Sequence, residues 1–110
     1  MLPPNDEALD RTFAALAHPT RRAMLSRLAR GEVASVTALA EPFNVSLVAV
    51  SRHVKILEEA GLISRKREGR VRWCRYEEAA IAEAKDWIET HQRYWSSRLD
   101  ALARYLKGGE

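Results

Sequence analysis

Cysteine is almost absent from this chain, in which Cys74 is the only one. We therefore expect no intrachain disulfide and no cysteine-based zinc site, and Cys74 is predicted to be a small buried or half-buried thiol and not a redox switch. Long apolar runs are missing as well, since none approaches the ~18–20 residues of a membrane span. The chain begins with polar and acidic residues, unlike a signal peptide, so a cytoplasmic protein without a membrane partner is expected.

Catalytic patterns are also missing. The chain has no evident Ser-His-Asp set, Gly-rich phosphate loop or paired carboxylates, so we expect no enzyme activity and no cofactor. The histidines His18, His53 and His91 lie far apart along the chain, and we predict that none of them binds a metal. A length of 110 residues suffices for one domain, taken to span residues 1–110, and leaves no room for a separate catalytic domain.

The positive charge is concentrated in one stretch. The whole chain has a formal charge of only +3, but residues 62–76 contain six basic residues and one acidic residue, a local charge of +5. The rest of the chain therefore carries a net charge of −2. A short basic segment of this kind is typical of a surface that docks on a polyanion.

Apolar residues recur at helical spacing near the N-terminus. A first helix is predicted over about 7–17, with Leu9, Phe13 and Leu16 on one face. Pro19 suits the first turn of a second helix that ends near residues 30–31. The residues predicted to point inward from the second helix are Ala23, Met24, Leu25 and Leu28.

Residues 36–61 have the pattern of a helix-turn-helix, which consists of a short helix, a tight turn and a longer helix. The short helix is predicted over 36–42, with Thr37 as its N-cap and Pro42 at its end. In the turn that follows, Asn44 is suited to a left-handed backbone conformation.

The longer helix is predicted over 47–60, with Ser46 as its N-cap and Gly61 as its terminator. Four residues at helical spacing should face the core, namely Val50, Val54, Leu57 and Ala60. The opposite face has cations and a hydroxyl in its N-terminal half and acids in its C-terminal half. A recognition helix that enters the major groove by its N-terminal end would have this polarity.

After Gly61 the pattern alternates, which predicts a β-hairpin over 62–76 with its tip at 68–70. Helical spacing returns over about 78–106. We therefore predict a mainly α protein with a small β-hairpin, in the order α1-α2-α3-α4-β-β-α5. This arrangement is a winged helix-turn-helix, in which the hairpin is the wing.

Each candidate DNA contact has its own chemistry. Arg52 can donate two hydrogen bonds to guanine, Ser51 can bond a base or a phosphate, and Lys55 suits a backbone phosphate. The predicted DNA-binding residues are Ser46, Leu47, Val48, Ser51, Arg52, His53, Lys55, Arg67, Arg70 and Arg72. The plainer alternatives are an amphipathic surface helix and a solvated basic hairpin.

The last predicted helix has an apolar sector that is wide for so small a domain. Part of it belongs to an intrachain core, and we attribute the excess to a homodimer interface. The predicted interface residues are Leu9, Phe13, Leu16, Ile88, Trp95, Leu99, Leu102 and Leu106. A two-fold dimer would place two recognition helices ~34 Å apart on a pseudo-palindromic operator.

Three segments resemble the ArsR–SmtB family of bacterial repressors over nearly the whole chain. They are AALAHPTRR at 14–22, SRHVKILEEAGLI at 51–63 and REGR at 67–70. The resemblance implies a winged helix that dimerises through its terminal helices and represses by occupying promoter DNA.

The chain departs from the metal-sensing members of that family. The stretch 36–40 has no sulfur where those members carry a Cys-x-Cys pair, and Asp86 and His91 lack the further ligands of the family's other metal site. The segments 39–43 and 94–106 look more like the metal-independent, autorepressor-type branch.

These observations predict a repressor that binds double-stranded DNA sequence-specifically, with an unidentified small-molecule effector as a further candidate partner. One alternative is a dimeric ligand- or protein-binding module that keeps the winged fold with only nonspecific DNA affinity. Another is a nonspecific nucleic-acid binder.

Overall fold

The structure is a computed structural model that describes residues 4–108, so the two ends of the predicted domain, 1–3 and 109–110, lie outside the described residues. Eight elements follow one another along this part of the chain. They are α1 (Pro4–Leu16), α2 (Pro19–Ala29), β1 (Ala34–Ser35), α3 (Val36–Ala40), α4 (Leu47–Glu59), β2 (Ile63–Glu68), β3 (Val71–Tyr76) and α5 (Ala79–Gly108). The predicted mainly α winged fold is confirmed, with one strand more than expected.

That additional strand, β1, turns the predicted hairpin into a three-stranded antiparallel sheet with the order β1-β3-β2. Ala34 lies opposite Cys74, and Ser35 lies opposite Trp73. The prediction missed β1 because it has only two residues, too few for an alternating pattern, and because its partner strand is distant in sequence.

Ser35 has a second role as the N-cap of α3. Its hydroxyl accepts a hydrogen bond from the backbone N–H of Ala38 at 3.1 Å. The prediction of Thr37 as the cap is therefore wrong, and α3 ends at Ala40, before Pro42. The left-handed conformation proposed for Asn44 is also wrong, since no non-glycine residue between 4 and 108 has a positive φ.

The ends of α4 follow the sequence signals. The Ser46 hydroxyl accepts a hydrogen bond from the backbone N–H of Ala49 at 3.1 Å, as expected of an N-cap. Gly61, with a φ of +77°, turns the chain out of the helix and into the sheet. Because both signals are local, the bounds of α4 differ from the prediction by only one residue.

The core lies where α2, α3, α4 and the sheet meet. Its largest fully buried side chains are Met24, Leu28, Leu39, Leu57, Leu62, Val50, Val54 and Cys74. Cys74 is buried as predicted, and burial raises the pKa of its thiol. Ala23 is exposed, contrary to prediction, because the inward stripe of α2 passes through Met24, Leu25 and Leu28 on the other side of the helix.

Helix α5 reaches well beyond the rest of the domain. Its 30 residues correspond to about 45 Å at ~1.5 Å per residue, and the described chain extends over 68 Å along its longest axis. Near its start α5 packs on α1, where the rings of Phe13 and Trp87 meet edge to face at 5.7 Å. Ala84 is the only buried residue of α5.

The capping assignment can be tested by a pair of substitutions. Ser35→Ala should lower the free energy of unfolding by about 1 kcal/mol, because it leaves the N–H of Ala38 without its partner. Thr37→Ala, two residues away on an exposed position, should change it by less than about 0.5 kcal/mol. Urea unfolding measures both, and an equal or larger loss for Thr37→Ala would contradict the assignment.

Candidate nucleic-acid interface

The outer face of α4 is accessible along its length. Arg52 and Lys55 are exposed, Ser51 is half-buried, and Val50 and Val54 are fully buried on the opposite side. Lys55 lies 3.9 Å from the Glu59 carboxylate, but both side chains are solvated, so this pair is weak. The two cations are therefore free to meet a ligand from solvent.

The N-terminal end of α4 is also open. Ser46, Leu47 and Val48 are all exposed, and 74% of the surface of Val48 is accessible to solvent. Such a helix end has unpaired N–H groups and the positive pole of the helix dipole, both of which favour a phosphate. Exposed apolar side chains at this end can contact a thymine methyl group.

His53 is placed differently from its predicted companions. It is half-buried on the side of α4 that faces the start of α2, where its Nδ1 lies 3.2 Å from a guanidinium nitrogen of Arg21. Its ring is 4.5 Å from that of His18. Burial lowers the pKa of His53, and the nearby charges of His18, Arg21 and Arg52 lower it further.

Successive residues of the wing strands point to opposite faces of the sheet, so every second residue shares a face. Cys74 is buried on the face that packs on the core, and its neighbour across the strands is Arg65. By the same alternation Arg67 and Arg72, which lie directly opposite each other, belong to this face. Both arginines are exposed, so the wing presents two adjacent cations on the side of the sheet next to α4.

Arg70 is exposed at the wing tip, directly after Gly69, whose φ of +61° makes the turn. The Nε of Arg67 donates a hydrogen bond to the Gly69 carbonyl at 3.0 Å. This bond ties the side chain of Arg67 to the tip, and the predicted wing residues therefore lie together.

Arg65 has a structural partner that the sequence analysis missed. Its guanidinium donates a hydrogen bond to the Glu58 carboxylate at 2.9 Å, which joins the end of α4 to β2. This hydrogen bond lowers the pKa of Glu58 and raises that of Arg65. Arg65 therefore does not add to the free positive charge of the wing. The sequence analysis could not identify this pair, because Glu58 and Arg65 meet only where the tertiary fold packs α4 against β2.

Most of the predicted dimer residues are exposed on α5. These are Ile88, Trp95, Leu99, Leu102 and Leu106, and Trp87, Tyr94 and Tyr105 extend the same apolar surface. Phe13 of α1 is also exposed at its edge. Leu9 and Leu16 are half-buried, and Leu16 packs partly on the domain core, so it has less area to offer a partner.

Among the side chains that the structure describes, those of residues 7–108, no three of the His, Cys, Asp and Glu types lie close enough together to hold a metal ion. None of the helices in this part of the chain combines the length and the apolarity that crossing a bilayer requires.

Comparison with known proteins gives consistent results. A helix-turn-helix domain family matches residues 16–65. An HTH-type transcriptional regulator of Mycobacterium tuberculosis is 35% identical over 97 residues, which are 88% of this chain and 87% of the relative. The transcriptional repressor SdpR of Bacillus subtilis is 30% identical over 80 residues, which are 73% of this chain and 88% of the repressor.

Solved structures agree with these relatives. The crystal structure of an ArsR family transcriptional regulator is 41% identical and superimposes with a TM-score of 0.79, covering 84% of this chain and 94% of that protein. An ArsR-like transcriptional regulator from Rhodococcus sp. RHA1 is 29% identical with a TM-score of 0.74, covering 91% of this chain and 93% of that one.

The hydrogen bond between Glu58 of α4 and Arg65 of the wing can be tested by substitution. Glu58→Gln should lower the free energy of unfolding at neutral pH by about 1 kcal/mol. The loss is modest because the Glu58 side chain is 36% exposed, so solvent screens its attraction to Arg65. Since Arg65 lowers the pKa of Glu58, this stabilisation is present above the ordinary glutamate pKa and is lost as the pH falls through the lowered value. Urea unfolding across the acid range measures the loss.

The control for this prediction is Glu59→Gln, which removes the exposed contact with Lys55. Its effect should stay below about 0.5 kcal/mol at every pH. A Glu58→Gln variant that differs from the wild type by the same amount in acid and at neutral pH would contradict the role of the Arg65 bond.

Proposed function

Because this chain belongs to the ArsR family of helix-turn-helix DNA-binding transcriptional regulators, we propose that it represses transcription as a homodimer bound to a pseudo-palindromic operator. Its relatives are regulators and not enzymes, and DNA is its partner. The observation that carries the proposal is that α4 buries one face in the core and presents Arg52 and Lys55 to solvent.

In this proposal α4 enters the major groove by its N-terminal end. Arg52 donates to a guanine edge, Lys55 and Ser51 contact the phosphate backbone or a base, and the exposed apolar end of the helix meets thymine methyl groups. The exposure of these side chains and the open, capped N-terminus support this orientation.

The wing is proposed to contact phosphates beside the groove. Arg67 and Arg72 lie directly opposite each other on adjacent strands, an arrangement of like charges that is unfavourable without an anion. A DNA phosphate would relieve this repulsion, and Arg70 at the tip could reach an adjacent minor groove. His53 is proposed to act from behind the recognition helix, since it is half-buried against α2.

Homodimerisation is proposed to cover the apolar surface of α1 and α5. An apolar patch along a helix of 30 residues is larger than a soluble monomer ordinarily leaves in water. A two-fold arrangement would place the two α4 helices ~34 Å apart, which is one turn of DNA.

Three finer assignments remain proposals. The protein is proposed to act in the cytoplasm and to belong to the metal-independent branch of its family. A small-molecule effector would find room in a cleft of about 450 Å³ on the sheet face turned away from α4, lined by Val33, Ser64, Lys66, Glu68, Trp73 and Arg75.

The proposed function is tested by capturing genomic DNA fragments on the purified protein and measuring the affinity of the enriched sequence against a shuffled duplex. A specific regulator should prefer its site by ~10³-fold or more at physiological salt. Equal affinity for both duplexes would instead support a nonspecific binder or a ligand-binding module.

The roles of two arginines can be separated in that assay. Arg52→Ala should cost about 1–3 kcal/mol on the enriched site and relax the preference at one base pair. Arg70→Ala should weaken binding to every duplex and reduce the slope of log affinity against log salt by roughly 0.9 if one phosphate contact is lost. A uniform loss for Arg52→Ala, or an unchanged slope for Arg70→Ala, would contradict the assigned role.

The dimer interface is tested by Leu99→Asp. Leu99 is 61% exposed in the single chain, so the fold does not require it, but a carboxylate buried between two subunits would weaken association by about tenfold or more. Sedimentation equilibrium measures the dimer, and Ser96→Asp on the same helix is the matched control for added charge. A dimer of unchanged strength in Leu99→Asp would exclude this face as the interface.

A further inference from the structure

Arg21, the third residue of α2, connects two helices of different function. Its Nε donates to the carbonyl of Ala15 at 2.6 Å, and a terminal nitrogen donates to the carbonyl of Ala14 at 3.1 Å. These carbonyls belong to the last turn of α1, whose final acceptors lack the usual partner four residues on, and the carbonyl of Ala14 also accepts from the backbone N–H of Ala17 at 3.2 Å. The other terminal nitrogen lies 3.2 Å from Nδ1 of His53 on α4.

The direction of that last hydrogen bond fixes the state of His53. A guanidinium has donors but no acceptor, so Nδ1 must be the acceptor and the ring proton must be on Nε2. A protonated His53 would have a donor at both nitrogens and would lose the bond. The contact therefore exists only with neutral His53.

The electrostatic surroundings favour the same form. The charged and titratable groups that act on the ring are His18 at the junction of α1 and α2, Arg21 on α2 and Arg52 on α4. Burial lowers the pKa of His53, and the charges of His18, Arg21 and Arg52 lower it further. At neutral pH the bond to Arg21 is accordingly intact.

We propose that Arg21 is a positioning residue for DNA binding: through neutral His53 it holds the recognition helix at a set angle to α1. This inference rests on the proposed function, in which α1 contributes to the dimer and α4 enters the major groove. The relative placement of two α4 helices on an operator then depends on this bond in each subunit. Acid removes the bond and weakens operator binding.

A direct contact between His53 and a phosphate would change operator affinity with pH in the opposite direction. A histidine that becomes positively charged next to DNA gains an attraction as the pH falls, so operator binding would tighten. The pH dependence of affinity therefore distinguishes a positioning role from a phosphate contact, and a purely structural role would not produce it.

The decisive variant is His53→Asn. Asparagine keeps an oxygen acceptor near the position of Nδ1 and does not titrate, so the bond to Arg21 should persist at all pH values. The matched control is His18→Asn, which removes the neighbouring imidazole ring but keeps the N-cap of α2, because the side chain of His18 accepts from the N–H of Thr20 and asparagine caps helices well.

The measurement uses the full-length protein and a duplex of about 30 base pairs selected from a random library at neutral pH, a length that spans two half-sites. Fluorescence anisotropy gives Kd at constant ionic strength, from above to well below the ordinary histidine pKa of about 6.5. Relative to His53→Asn, the wild type should lose about fivefold or more in affinity across this range. A fivefold change is the lower end of the coupling usually found between two sites of a protein. His18→Asn should lose affinity as the wild type does.

Coinciding profiles of the wild type and His53→Asn would overturn the proposal, as would a wild type that tightens relative to His53→Asn in acid. Failure of the proposed function is recognised separately, because the wild type would then prefer no duplex even at neutral pH, and both proposals would fall. Nitrogen-15 NMR of the free protein adds a check without DNA: at neutral pH the proton of His53 should be on Nε2, and a proton on Nδ1 would overturn the inferred bond.

Discussion

Val50, Val54 and Leu57 are completely buried, at spacings of four and three residues, and they anchor α4 on the core. This anchoring sets the rotation of the helix about its own axis. Arg52 and Lys55 then face solvent because they lie on the side of the helix opposite to these buried residues. The cap at Ser46 and the turn at Gly61 set where the helix begins and ends, so its open N-terminus and its junction with the wing follow from the same few local choices.

The sequence was sufficient where the signal is local. The bounds of α4, the Ser46 cap, Gly61, Gly69 and the outward face of α4 depend on residues within a few positions of one another, and for these the structure agrees with the prediction to within one residue. The missed strand β1 and the wrong cap of α3 share one cause, which is distance along the chain. β1 forms only because β3 provides its partner, and the choice of Ser35 over Thr37 as the cap of α3 follows from where β1 ends.

The arginines illustrate the same limit in the candidate site. Counting charge identified the wing, but it did not distinguish cations that hold the domain together from cations that are free to bind DNA. Arg65 bonds to Glu58, and Arg21 bonds to the end of α1 and to His53, so both act within the fold. Arg67, Arg70 and Arg72 remain solvent-exposed. The difference is a matter of tertiary contacts, which composition does not report.

The burial of Cys74 has a consequence for experiments on this protein. Oxidants and alkylating reagents react with the thiolate, and burial both raises the pKa of this thiol and blocks access to it. Cys74 sits in the central strand of the sheet, between β1 and β2, so a reagent reaches it only when that sheet opens. Because the chain has a single sulfhydryl, the rate at which it is labelled measures the opening of the domain at one known position.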